Sequence, residues 1–561
     1  MYAGNNEVVG PHGPGAVFQS WSPSLWMIRT GSCLGATRVG QLLGDIAARV
    51  GQGGKEPPQW RAMAAMFMDN PVAADDPRLA RTYANLRENL TDICRVGRNA
   101  GAAVVLATVA VNLEDFPPVI SRHRADLSPE DLGRWESLAK EGSALESAGR
   151  GREAIEKFLA AERIDDRYAE LPYRLGRCLA AAGDRAAAAD RFARSRDLDQ
   201  LRFRADPHIN AAIREAAAGA GEGVYLADAA VALAACGIPD KDLFYEHVHL
   251  TFEGNYQLAR SVLGPACRAL REHLGAPGEG AIPSNTQCAK RLALTPWDEV
   301  NMGERVAAET ANPPFTNQLD HTVREAARWE RLRSLRQAAT TPEALRSAWK
   351  TYEAALARSK DDWFLIDHFA NLAMRCGRPG EAARHWAVLV EKFPQAMTLK
   401  LSLGTALLQA GKTDEAVGQF EQARRIKPNS SEVLCGLGTA MTAMGKPKEA
   451  LAYLEESLRL NPGSSDAHNN LAVLLSREGK TREAIEHYEE ALRINPEYAD
   501  AHLNLGALLQ QAGQLPEAIG HYEQAVRLKP DYAQNNPAFA SALASARETA
   551  AAMERYQKIL L

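Results

Sequence analysis

The polar and apolar positions of this chain keep two different rhythms. From about residue 363 to 530 the apolar positions recur as they do on amphipathic helices, and the pattern repeats along the chain. Prolines fall at 394, 428, 462, 496 and 530, always 34 residues apart. Alanines at 382, 416, 450, 484 and 518 hold the same register, and a bulky residue follows each by four positions: Trp386, Phe420, Leu454, Tyr488 and Tyr522. Leu403–Gly404, Leu437–Gly438 and Leu505–Gly506 mark an earlier helix of their units. The spacing predicts units of two antiparallel helices. The alanine lets the helices approach and the bulky residue fills the space between units. The proline ends the second helix, because it lacks an N–H and restricts the residue before it. One unit cannot bury its own apolar face, so the units must stack. A degenerate sixth unit is predicted before these, with Leu335, Ala348, Tyr352 and Ala355 in register, which puts the array at 329–530. The alanine-rich stretch 531–561 reads as a capping helix. A shorter echo lies upstream, where Gly142, Ala154, Phe158 and Ala161 are matched 34 residues on by Gly176, Ala188, Phe192 and Ser195. Residues 135–200 are therefore expected to be an inserted pair of units. A pair is marginal alone and should lean on its host.

The first half has the other rhythm. "RLARTYANLRENLTDICRVGRN", 78–99, predicts an amphipathic helix, and the valine-rich "GAAVVLATVAVN", 101–112, predicts a buried strand. "EGVYLADAAVALAACG", 222–237, repeats the idea with a strand at Val224–Leu226 and a helix after it. A helix after Gly254 should close this region near 274, before the loop "GAPGEGAIPSN". The expected organisation is an open α/β domain over 1–275, a linker and helical connector over 276–328, and then the all-α array. In open α/β sheets, sites form at the carboxyl ends of strands. Two segments fall there: "YAGNNEVVGP" at the start and "LFYEHVHLTFEGNYQLAR" at 243–260. The second sets Glu246 three residues before His249, either an acid–histidine pair or an ordinary surface pair at a helix entrance.

Composition removes several alternatives. The net charge is −5, with 65 basic against 70 acidic side chains, so nothing favours electrostatic capture of nucleic acid or an anionic membrane. Hydrophobic residues are 46% and charged residues 24%, as in ordinary globular domains. None of the 8 cysteines stands in a CxxC pair, which argues for free thiols over metal sites or a disulfide framework. No apolar run is long enough to span a bilayer, which takes about 18 residues. His247 and His249 lack a matching carboxylate set, so no metal and no cofactor is expected. Arg202 and Arg204, in "LRFRAD", reach either a substrate groove or only a solvated turn. Trp21 and Trp26 either line an acyl pocket or pack a core. In the array, Asn470 and Asn504 each directly precede the repeat leucine, suited to peptide binding or simply polar positions on a solvated helix face. No cluster of lysines and arginines there suits a terminal carboxylate.

Three resemblances extend this reading. The 34-residue pattern over 363–530 resembles the tetratricopeptide repeat (TPR), which implies protein or peptide partners on the first helices. In O-linked N-acetylglucosamine transferases, asparagines at the place of Asn470 and Asn504 hold peptide backbone. The segments "GNNE" and "EHVH" together resemble the SGNH (GDSL-like) hydrolases, esterases and acyl-transfer enzymes on a flavodoxin-like sheet. That resemblance implies His249 as general base, Glu246 as its orienting acid, Asn6 as an oxyanion donor and Gly4 as the residue shaping its turn. It also implies an ester-bearing substrate. Both blocks carry Glu where Asp is commoner. With "VNLEDFPP", the inserted units and "LRFRAD", the chain resembles a bacterial group that joins an SGNH-type domain to tetratricopeptide repeats. Its members begin with a membrane anchor and a Gly-Glu-Ser block bearing the nucleophile, which implies a membrane-anchored or extracytoplasmic setting. Neither block is found in this sequence. The expectation is an incomplete SGNH-type domain without ordinary esterase turnover, or a degenerate domain kept as a scaffold.

Overall fold

The computed structural model describes residues 71–275, 281–528, 543–545, 547 and 548. The chain divides into two compact units, Met1–Thr341 and Pro342–Leu561. In the first, helix α1 (Arg78–Asn99) occupies the predicted span and buries Leu79, Leu86, Leu90 and Cys94 along one face. Strand β1 (Val104–Ala107) follows. The valine-rich run is longer than the strand; beyond it the amides of Thr108, Val109 and Asn112 donate to the Ala227 carbonyl, Asn210 Oδ1 and the His247 carbonyl.

Four helices come next: α2 (Pro129–Ser147), α3 (Gly151–Glu162), α4 (Glu170–Ala181) and α5 (Arg185–Leu198). They form the two expected helical hairpins. Gly142 and Gly176 are small because a Cβ there would lie 2.5 Å from the Phe158 ring and 2.7 Å from the Phe192 ring. Ser195, at the place of Ala161, is fully buried and donates its hydroxyl to the Ala169 carbonyl at 2.8 Å. The pair does lean on its host. Tyr173 donates its hydroxyl to the Glu114 carbonyl at 2.7 Å, Arg185 holds the Glu114 carboxylate with two hydrogen bonds, and Ile238 packs among Tyr173, Ala188 and Phe192.

Helix α6 (Pro207–Gly219) then leads to β2 (Val224–Ala227), parallel to β1 with Val104 opposite Val224 and Ala107 opposite Ala227. The inserted hairpins thus sit inside a β–α–β crossover. Asp206 caps α6 by accepting from the His208 and Ile209 amides, with Pro207 in the first turn, where its missing N–H costs nothing. Leu86, Leu90, Cys94, Leu106, Val109, Ile209 and Ile213 form one core between α1, α6 and β1. Among the described residues the sheet has two strands, so the flavodoxin-like sheet is not shown.

Short helix α7 (Ala229–Ala234) and long helix α8 (Phe252–Leu274) follow. Helix α8 starts at Phe252 rather than after Gly254, because the Thr251 hydroxyl caps it by accepting from the Gly254 amide at 3.1 Å. Helices α9 (Asn285–Arg291), α10 (Pro296–Thr310) and α11 (His321–Ala339) complete the unit. The segment expected to hold a sixth repeat, from 329, divides between the two units. Helix α11 belongs to the first unit, where it buries Leu332 in the notch at Gly303 of α10, and Leu335 is only half-buried.

The second unit opens with α12 (Pro342–Arg358), which buries Ala348, Tyr352 and Ala355. Five hairpins follow: α13 (Trp363–Arg375) with α14 (Pro379–Lys392), α15 (Met397–Gln409) with α16 (Thr413–Ile426), and α17 (Ser431–Ala443) with α18 (Pro447–Leu460). The last two are α19 (Ser465–Arg477) with α20 (Thr481–Ile494) and α21 (Ala499–Gln511) with α22 (Leu515–Leu528). Successive first helices start 34 residues apart. The turns between paired helices use Gly377, Gly411, Gly445, Gly479 and Gly513, all with φ between 66° and 82°, a region costly for residues with a Cβ. The repeat alanines are fully buried and the bulky residues after them nearly so. Ser457 repeats the solution of Ser195, donating to the Ser431 carbonyl at 2.8 Å. The predicted capping helix falls mostly outside the described residues, though Leu543 packs against the last repeats.

Candidate functional site

In the first unit the segment 243–251 folds back on itself. Tyr245 donates its amide to the His249 carbonyl at 2.8 Å, and Thr251 donates to the Leu243 carbonyl at 2.9 Å. The loop closes around the Glu246 carboxylate, which is 4% exposed. Its oxygens accept from the backbone amides of His247, Val248 and His249, the last two at 3.3 and 2.9 Å. Three converging amides form a nest around the carboxylate oxygens.

The sequence paired Glu246 with His249, and the loop brings them together. His249 Nδ1 hydrogen-bonds Glu246 Oε1, while the imidazole itself is 66% exposed. With Nδ1–H donated to a carboxylate, Nε2 is left as the acceptor facing outward, the tautomer a general base requires. His247 is different. Its Nδ1 faces Glu246 Oε2, and its ring lies among Phe116, Phe203 and Phe315 at centroid distances of 5.2, 5.5 and 5.8 Å. Burial pulls its pKa down to about 3. Among the described residues no group of three or more His, Cys, Asp or Glu is placed to hold a metal ion.

Asn112, which sequence reasoning did not single out, anchors this loop to the strand. It donates its side-chain amide to the Glu246 carbonyl at 2.9 Å and its backbone amide to the His247 carbonyl at 3.0 Å. Its only signal is an asparagine closing a valine-rich run.

Arg202 and Arg204 reach neither a groove nor a solvated turn. Both are buried: Arg202 pairs with Asp206 at 3.3 Å, and Arg204 with Asp199 at 3.5 Å. Arg204 also donates to the Asn112 and Phe116 carbonyls at 3.3 and 2.8 Å and lies over the Phe116 ring. Burial pulls its pKa down to about 10, which leaves it charged at neutral pH. Its work is internal, shaping the turn beside the histidine loop. Gly4, Asn6, Trp21 and Trp26 lie outside the described residues.

In the second unit the first helices pack side by side, and the amides of the array form a chain along them. Asn504 donates to Asn469 Oδ1 and Asn469 to Asn470 Oδ1, each at 3.2 Å. Asn470 donates to the Thr439 hydroxyl at 2.9 Å and to Cys435 Sγ at 3.3 Å. The chain joins α17, α19 and α21. It includes Asn469 and Thr439, neither of which the repeat register had marked.

The family model of the tetratricopeptide repeat matches residues 395–462 and 464–531, the spans of α15–α18 and α19–α22. The helical hairpins of these spans, α15–α22, are tetratricopeptide repeats. Solved structures similar to the chain include that of MamA, 22% identical over 29% of this chain and 96% of that one, with a TM-score of 0.23. Another is YrrB, described as a TPR protein with an unusual peptide-binding site, 23% identical over 35% of this chain and 97% of that one, TM-score 0.23. A third is TTC0263, a thermophilic TPR protein of Thermus thermophilus, 21% identical over 32% of this chain and 96% of that one, TM-score 0.28. No curated protein matches the chain. No described helix is long and apolar enough to cross a membrane.

Proposed function

We propose that this protein is a scaffold whose tetratricopeptide array binds an extended peptide segment of a partner protein along its first helices. The observation that carries the reading is the chain of amides and hydroxyls through Asn504, Asn469, Asn470 and Thr439. Amides held by one another are pre-oriented, so a peptide backbone meets fixed partners and loses less entropy on binding. Such recognition tolerates many side-chain sequences and depends on backbone groups. An array of random peptides tests it with the whole chain as probe. Retained peptides are expected to weaken at least about tenfold with Asn470→Ala plus Asn504→Ala, the loss of roughly two hydrogen bonds, and with N-methylation of the peptide. Unchanged binding in both arms would refute the role of the amides.

A second reading is favoured by the Glu246–His249 pair: descent of the first unit from an SGNH-type ester hydrolase or acyl transferase. A buried carboxylate orienting an exposed imidazole is the base half of nucleophilic catalysis, and the other half is a hydroxyl and oxyanion donors. With a short-chain aryl ester we expect no turnover above buffer from this chain. Turnover lost in His249→Ala and blocked by a serine-directed phosphonate would overturn the non-catalytic scaffold as an account of the first unit.

A further inference from the structure

The last two complete repeats contain a feature that the peptide-binding reading does not use. His468 of α19 meets His487 of α20 with Nδ1 atoms 3.0 Å apart, and one period later His502 of α21 meets His521 of α22 at 2.9 Å. The two pairs are near copies, with ring centroids 5.2 Å apart and planes inclined 34° and 35°. That centroid separation is close to the sum of the Nδ1–Nδ1 distance and the two short ring radii. The nitrogens therefore face each other almost head-on, as one N–H···N hydrogen bond requires. The backbone settles which way the proton points. His468 Nε2 lies 3.2 Å from the Pro462 carbonyl, and His502 Nε2 lies 3.1 Å from the Pro496 carbonyl, so each must be N–H there and lone pair at Nδ1. His487 and His521 then donate from Nδ1. Each pair joins the first helix of its repeat to the second.

We propose that these pairs are acid-labile staples that make the C-terminal end of the array, α19–α22, open selectively as pH falls. A neutral pair holds two protons on nitrogen, one to the proline carbonyl and one between the rings. A first added proton goes to the outer Nε2 of His487 or His521 and leaves the inter-ring bond in place. The Nδ1 atom that accepts the inter-ring bond faces an N–H at hydrogen-bond distance, so a proton placed on it would set two N–H groups against each other. The unfolded histidines take both protons freely below their ordinary pKa near 6.5. The folded pair therefore binds fewer protons than the unfolded one.

The electrostatic neighbours act in the same direction or too weakly to reverse it. Burial is the leading cause that holds His487, His502 and His521 below the ordinary histidine range. Around the first pair, Glu483, Glu486 and Glu490 of α20 oppose that shift, but Glu490 is paired with Arg493 and Glu486 with Arg482. Around the second, the hydrogen bond to the Pro496 carbonyl opposes the shift of His502 without reversing it, and Arg527 of α22 adds to it. A lowered folded pKa means stability that is complete above the unfolded value and lost as pH falls below about 6.5.

Hydrogen exchange of the whole chain, corrected for the intrinsic pH dependence of amide exchange, tests this between pH 7.5 and 5. Below pH 6.5 the opening constant of α19–α22 is expected to rise about tenfold per pH unit for each proton withheld. The repeats α15–α18 serve as internal reference, since Lys400, Gln419, Leu434 and Tyr453 stand at their corresponding positions. The variant His468→Leu, His487→Tyr, His502→Leu, His521→Tyr installs the Leu434 and Tyr453 pairing that the array already accommodates, and should abolish the acid step. Equal pH dependence in α15–α18 and α19–α22 of the unaltered chain overturns the proposal, whether or not the variant folds. A variant that folds and keeps the step overturns it as well.

Discussion

Asp199→Ala is expected to destabilise the first unit by about 3–5 kcal/mol, the usual cost of removing one partner of a buried ion pair. The Asp199 carboxylate is 3% exposed and accepts from the backbone amides of Val119, Ile120 and Leu201 at 3.0, 3.0 and 3.1 Å. It also faces Arg204 at 3.5 Å. The substitution strands three buried N–H groups at once and takes the paired carboxylate from a buried guanidinium, which keeps only carbonyl partners at Asn112 and Phe116. Arg204→Met should cost less, because Asp199 keeps its three amide donors and the methionine refills the space over Phe116. Two units in one chain make a single unfolding free energy ill-defined. The measurement is therefore hydrogen exchange in urea, reading residues 104–120 against the second unit in the same sample. A loss under about 1 kcal/mol, or a loss shared equally by the array, would contradict the assignment. The same variant should loosen the histidine loop, since Arg204 holds the Asn112 carbonyl and Asn112 holds Glu246.

That network also marks where sequence reading stops. The array was legible because its packing rule is local and repeated. A small residue, a bulky one and a proline recur at one spacing, and each repetition is independent support for the same geometry. The inserted hairpins were legible for the same reason, with Gly142 and Gly176 facing Phe158 and Phe192. Glu246 and His249 could be paired because a loop of three residues forces them to share a site. Arg204 could not be placed, because what buries it comes from Asn112, Phe116 and Asp199, brought together only by the crossover fold. A charged residue in a polar string looks solvated until its partners are known. His247 stands two residues before His249, and in an extended strand the two would share a face; the loop instead folds back around the Glu246 carboxylate, which turns the two rings apart. One ring went to solvent and the other to Phe116, Phe203 and Phe315. The degenerate unit expected before residue 363 divides between the two units, with Ala348, Tyr352 and Ala355 buried on α12. Local spacing suggested it, but Leu332 found Gly303 and took α11 into the first unit.

Phe420→Ala is the expected large effect in the array, and its form matters as much as its size. The Phe420 ring is 1% exposed and lies between two glycines, where a Cβ on Gly404 would be 2.5 Å from it and one on Gly436 2.9 Å. Gly404 belongs to the same repeat and Gly436 to the next. The ring thus contributes both to the intrinsic stability of its hairpin and to the interface with α17. Removing a buried phenyl group costs about 3–5 kcal/mol. In a linear array, a weakened interface also uncouples what lies on either side. At neutral pH the variant should therefore unfold in two steps, with α13–α16 opening at lower urea than α17–α22, where the unaltered array is expected to open as one. Leu454→Ala offers the contrast, since Leu454 lies against Gly438 of its own repeat. It should lower stability by about 2–5 kcal/mol with less division between the halves. Hydrogen exchange across both variants separates the outcomes. A single shared transition in Phe420→Ala would show that coupling between these repeats runs through other contacts.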